Sequence, residues 1–148
     1  MNREDAPRSR RPKYRQLSHT ADLGWRIRGE SLPELFENAA AALTATMVDR
    51  RYVRAREVRE IILESVDYEA LLVDWLNHLL YLFDVDAFLG REFTVVSLTP
   101  QRLQATVTGE TFEPGRHPEK IAVKAATYHQ LKIVPEDGGW KATVIFDL

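Results

Sequence analysis

The stretch Leu23-Gly24-Trp25-Arg26-Ile27-Arg28-Gly29-Glu30-Ser31-Leu32-Pro33-Glu34-Leu35-Phe36 decides the fold class, because its apolar period changes once within it. Leu23, Trp25 and Ile27 alternate with Gly24, Arg26 and Arg28, the two-residue period of a strand with one buried face. Asp22 falls in phase with the polar set. From Ser31 the period lengthens, and Leu32, Leu35, Phe36, Ala39, Leu43 and Met47 recur at helical spacing. Ser31 with Glu34 three residues on is a capping box, and Pro33 is tolerated in a first turn, where its missing N–H has no helical partner to lose. A strand is therefore expected to hand over to a helix running from Leu32 to about Val48.

Working outward, Tyr14 to Ser18 reads as a short strand before this one, and Val58 to Ser65 as another after the helix. Asp67 is placed to cap a second helix whose buried stripe is Leu71, Leu72, Trp75, Leu79 and Phe83. Phe93 to Leu98 and Leu103 to Gly109 are strands separated by the turn Thr99-Pro100-Gln101. After the loop from Pro114 to Pro118 come Ile121 to Val134 and Trp140 to Leu148, joined through Asp137-Gly138, a hairpin signal. Two helices among about seven mostly consecutive strands predict an α+β fold, a single domain with mainly antiparallel sheet layers packed on two amphipathic helices.

Composition sets the class of molecule. A chain of 148 residues, 45% hydrophobic and 28% charged, is the size and make-up of one globular domain with a real core. No apolar run approaches the roughly 20 residues that span a bilayer, and no secretory apolar segment follows Met1, so a cytoplasmic location and no membrane partner are expected. With no cysteine, disulfides and thiolate metal sites are excluded. Residues 1–15 hold six cations against Glu4 and Asp5, a net +4, which leaves −6 on the remainder. Residues 1–13 are read as a disordered basic arm and 14–148 as the domain. An acidic domain wraps nucleic acid only if its charge is strongly polarised.

Candidate chemistry gathers at the two ends. His19-Thr20-Ala21-Asp22 stands at the start of the second strand, and the chain stops on Phe146-Asp147-Leu148. Trp140, Ala142, Val144, Phe146 and Leu148 share one phase, so Leu148 is expected to plug into the core and hold its own carboxylate beside Asp147. If Asp22 lies opposite, three carboxylates repel one another unless a cation neutralises them. All-oxygen ligation suits Ca²⁺, with Mg²⁺ or Mn²⁺ as alternatives, better than Zn²⁺. The plainer reading is a surface aspartate and an ordinary chain end.

The histidines carry less. His19 is a ligand, a neighbouring donor or a turn residue. His129 is in phase with Ile121, Val123, Ala125, Leu131 and Ile133, on the expected core face, while Lys124 and Tyr128 occupy the other phase and present a contact surface. Asp74 and His78 form a surface pair at i, i+4, and His117 reads as loop. The chain contains no P-loop, dinucleotide glycine fingerprint, nucleophile elbow or HExxH motif, so no catalytic residue is assigned.

Several segments together resemble the archease family: His19-Thr20-Ala21-Asp22-Leu23-Gly24, Phe36-Glu37-Asn38-Ala39, Leu71-Leu72-Val73-Asp74-Trp75-Leu76, Val123-Lys124-Ala125-Ala126-Thr127-Tyr128-His129 and the terminal Phe146-Asp147-Leu148. The similarity runs from about Tyr14 to Leu148. It implies a small α+β accessory protein that assists the RtcB-type tRNA-splicing ligase, an enzyme that joins RNA ends with GTP and Mn²⁺ through a guanylylated histidine of its own. Archease promotes that guanylylation and sustained turnover, and meets tRNA indirectly, through the ligase. The resemblance further implies a bound divalent cation, described as calcium, on the positions of Asp22, Asp147 and Leu148. His19, Lys124, Tyr128 and His129 would support the site or meet the partner. The basic extension before Tyr14 lies outside the family pattern, and Gln130 stands where relatives often carry a small or acidic residue. Two other readings compete: a metal-dependent phosphoester or nucleotide hydrolase with His19 or His129 as base, and a chaperone-like binding module whose cation is structural.

Overall fold

The computed structural model describes residues 12–17 and 22–148. The chain order is β1 (Tyr14–Leu17), β2 (Asp22–Gly29), α1 (Leu32–Met47), a 3-10 turn (Arg50–Tyr52), β3 (Glu57–Glu64), α2 (Tyr68–Asp86), β4 (Phe88–Thr99), β5 (Arg102–Thr111), β6 (Ala125–Glu136) and β7 (Gly139–Asp147). The strands form two antiparallel sheets, ordered β1-β2-β7-β6 and β3-β5-β4. Both helices touch strands of both sheets, α1 through β2, β7 and β4, and α2 through β6, β4, β5 and β3. This is the predicted α+β arrangement.

Each helix begins where its cap requires. Ser31 Oγ accepts the Glu34 N–H at 3.2 Å, and Asp67 Oδ1 accepts the Ala70 N–H at 2.8 Å. The predicted stripe of α2 is buried at Leu71, Leu72, Trp75 and Leu79, with Phe83 half-buried against the same core. Trp75 donates its indole N–H to the Phe36 carbonyl at 2.9 Å, so its polar atom is satisfied where the ring is fully buried. α2 stops at Ala87, whose φ of 54° turns the chain directly into β4.

Three strand expectations are corrected. β4 begins at Phe88 rather than Phe93, because irregular pairing between Gly90 and Glu92 breaks the alternation that marks a strand. Residues 121–124 are not part of β6, which starts at Ala125. The third correction concerns phase. Thr127 pairs with Ile145 and Lys132 with Thr143, so four residues of β6 face one of β7. Three extra residues, an odd number, flip the inward phase from Ala126 before the bulge to Leu131 and Ile133 after it. His129 therefore lies in the bulge and is exposed, not on the core face, and Gln130 beside it has a φ of 56°.

Candidate cation site at the paired strand ends

β2 and β7 are neighbours, and their register sets Asp22 directly opposite Asp147. The next pair inward, Leu23 and Phe146, is buried. Alternation therefore places both aspartates on the opposite face of the sheet, in line with Gly24, Arg26 and Arg28. Directly opposed residues keep their Cβ atoms about 4.5–5.5 Å apart, close enough for two carboxylates to repel strongly or to share one ion. Asp147 is paired on its other side with Ala125 of β6, and its carbonyl accepts the Lys124 N–H at 2.8 Å. The last strand residue is thus held from both flanks.

Leu148 corrects the expected anchor. It lies beyond β7 and is 41% exposed, so it does not plug into the core. The core phase of β7 ends at Phe146. Among the described residues no three His, Cys, Asp or Glu side chains converge, so the described side-chain donors here are the two opposed aspartates. The donor chemistry fits a hard cation: two opposed aspartates and a chain end, all oxygen.

The other candidates are distributed as follows. His19 lies outside the described residues. Lys124 is exposed next to the strand pairing of Ala125 with Asp147. Tyr128 is 59% exposed and His129 is exposed on the β6 bulge, with the His129 N–H held by Thr127 Oγ1 at 3.2 Å. Slight desolvation, and then the negative charges of Asp74 and Asp67, raise the Tyr128 phenol above its ordinary value. His78 faces Tyr81 at 5.9 Å between ring centroids, and burial lowers its pKa.

Two constellations escaped the sequence reading. Asn77 of α2 donates to the Ala126 carbonyl at 3.1 Å and accepts the Ala126 N–H at 2.8 Å, supplying the missing strand partner at the edge of β6. His117, read as loop, is buried: its Nδ1 accepts the Glu113 N–H at 2.9 Å and its Nε2 lies 3.0 Å from Glu110 Oε2. With Nδ1 accepting, the proton sits on Nε2 and points at Glu110. Burial alone would raise the Glu110 pKa, but Arg116, the Arg54 N–H and His117 outweigh it and hold the carboxyl at about 2. Glu110 is the buried acid of β5 on which the loop 113–118 closes. Only the spacing of Glu110, Glu113 and His117 hinted at this, and it is indistinguishable from surface polarity without the fold.

Comparison with known proteins places the chain in a family. The family model for the Archease protein family (MTH1598/TM1083) matches residues 14–148. The protein archease of Methanosarcina mazei is 41% identical over 140 residues, covering 92% of this chain and 96% of that one. That of Pyrococcus abyssi is 39% identical over 140 residues, covering 92% and 99%. The solution structure of Methanobacterium thermoautotrophicum protein 1598 superposes with a TM-score of 0.79 at 36% identity, covering 92% of this chain and 99% of that one. A crystal structure described as an archease, possible chaperone, from Thermotoga maritima shares the fold at a TM-score of 0.60 and 23% identity, over 89% of this chain and 94% of that one. The chain belongs to the archease family.

Proposed function

We propose that this protein is a non-catalytic, cytoplasmic accessory protein that activates an RtcB-type RNA ligase in tRNA splicing and RNA repair, with a divalent cation held between carboxylates from both chain ends. Family membership supports the accessory role, and no helix among the described residues is long and apolar enough to cross a membrane. The observation that carries the cation reading is the register of β2 on β7, which opposes Asp22 and Asp147 across one strand pair. Their side chains and the terminal carboxylate of Leu148 would hold the ion, with Ca²⁺ the best match to a flexible all-oxygen donor set. When bound, it neutralises the paired aspartates and offers a partner a Lewis-acidic centre at the sheet end. Lys124, Tyr128 and His129, exposed beside that end, form the surface that meets the ligase.

The test is RNA ligation with the cognate ligase limiting, with and without this protein. Turnover should rise when it is added; an unchanged rate sinks the activator reading. The hydrolase alternative is separated by incubating the protein alone with nucleotides and phosphoesters plus Mn²⁺. Metal-dependent turnover abolished by His19→Ala or His129→Ala would replace the proposal.

A further inference from the structure

Arg50-Arg51-Tyr52-Val53-Arg54-Ala55-Arg56 follows α1 and puts four arginines into seven residues of a chain whose formal net charge is −2. What holds this segment is unusual. Arg91 of β4 donates from Nη1 to the carbonyls of Val53 at 2.6 Å, Arg51 at 3.3 Å and Arg50 at 3.5 Å. Arg50 returns the contact, its Nε reaching the Arg91 carbonyl at 3.0 Å. Arg116 Nη1 lies 3.5 Å from the Tyr52 carbonyl. Carbonyl oxygens orient a guanidinium but do not cancel its charge, whereas carboxylates do both.

Two nearby acids are already engaged. Asp49 is taken up by Arg51 at 2.7 Å, and Glu110, itself buried, is shared by Arg116, His117 and, at 3.9 Å, Arg56. Among the described residues no carboxylate pairs with Arg50, Arg54 or Arg91. Lys120 adds a further cation, its Nζ held by the Ala45 carbonyl at 2.9 Å at the end of α1. In the same segment Tyr52 is 57% exposed, with the Arg51 guanidinium 5.8 Å from its ring centroid. Arg50, Arg54 and Arg91, which no carboxylate among the described residues neutralises, share this segment and its contacts with one open aromatic ring, a set that matches a phosphodiester backbone with an unstacked base.

We propose that the Arg50–Arg56 face, with Arg91 and Lys120, binds single-stranded nucleic acid, its cations on the phosphates and Tyr52 stacking on a base. This goes beyond ligase activation and needs no cation. Lys120, at the edge of this face, is four residues from Lys124, which is bonded beside the paired aspartates. The Lys120 N–H is bonded to the Met47 carbonyl and the Lys124 N–H to that of Asp147, and the four intervening steps span at most about 14 Å.

The experiment is fluorescence anisotropy of the full chain with labelled oligouridine and oligodeoxythymidine of about 16 nucleotides, and with labelled polyglutamate, across a salt series. Binding to one or both oligonucleotides should weaken with salt at a slope of about −0.7 per phosphate contact. The double variant Arg54→Ala/Lys120→Ala should bind about tenfold or more weakly with a shallower slope, and Tyr52→Ala about tenfold more weakly with the slope kept. The changed positions are exposed, so their melting temperatures should match the parent; Arg102→Ala, half-buried at the opposite end of β5, should leave binding unchanged. Undetectable oligonucleotide binding, parental affinity in the double variant, or polyglutamate bound as tightly as oligouridine would each overturn the proposal, the last in favour of an acidic polypeptide partner.

Discussion

Replacing Glu110 with Gln should convert a pH-dependent stabiliser into a buried mismatch. The carboxylate is 4% exposed and accepts the Arg54 N–H at 2.7 Å, His117 Nε2 at 3.0 Å and Arg116 Nη2. Its pKa is held at about 2 against an ordinary 4.5, below the unfolded value, so the stabilisation is fully present above pH 4.5 and is lost as pH falls toward 2. Taken whole, that depression is worth about 3 kcal/mol. Water screens part of it, because the arginines that cover the acid are themselves 30% and 63% exposed, and about 1–2 kcal/mol is the expected share. A glutamine would also turn an amide N–H₂ toward donors that need an acceptor. Glu110→Gln should thus lose about 1–2 kcal/mol at pH 7, roughly 2–8 °C in melting temperature. Denaturant titrations at pH 7, 5, 4, 3 and 2 are the assay. The gap between parent and variant should be full at pH 5–7 and shrink steadily toward pH 2. A gap that stays constant across that window would refute the reasoning.

Other outcomes follow from single contacts. Asn77→Ala removes both hydrogen bonds that close the β6 edge at Ala126, and should cost about 1–3 kcal/mol while speeding amide exchange at Ala126 relative to its neighbours on β7. Unchanged exchange there would show that the edge is closed by something else. Extending the chain beyond Leu148 should leave the melting temperature of the metal-free protein unchanged, since Leu148 is 41% exposed, but lower Ca²⁺ affinity at least tenfold in calorimetric titration. Equal affinity in the extended chain would remove the terminal carboxylate from the site.

Local chemistry made the helices readable: Ser31 and Asp67 cap where they stand, and the stripes behind them are buried. Strand phase was readable only while pairing stayed regular. Nothing in Thr127-Tyr128-His129-Gln130-Leu131 announces three extra residues, because a bulge is imposed by what β7 and α2 require on either side. A period-2 extrapolation through it carried His129 to the wrong face, and the same extrapolation past Phe146 buried Leu148 wrongly. The opposition of Asp22 to Asp147 was legible as a possibility from residue type, but the register that realises it joins strands 125 residues apart and belongs to the fold. The Glu110 cluster was illegible for a related reason: burial of an acid on β5 depends on a loop whose closure no local pattern encodes.

The most direct measurement of the central claim is multiple-turnover RNA ligation by the cognate ligase with this protein added as parent, Asp22→Ala or Asp147→Ala. The account predicts that the parent raises turnover and that either variant, folded and at equal concentration, loses most of the stimulation. Full stimulation by both variants would contradict the role of the paired aspartates.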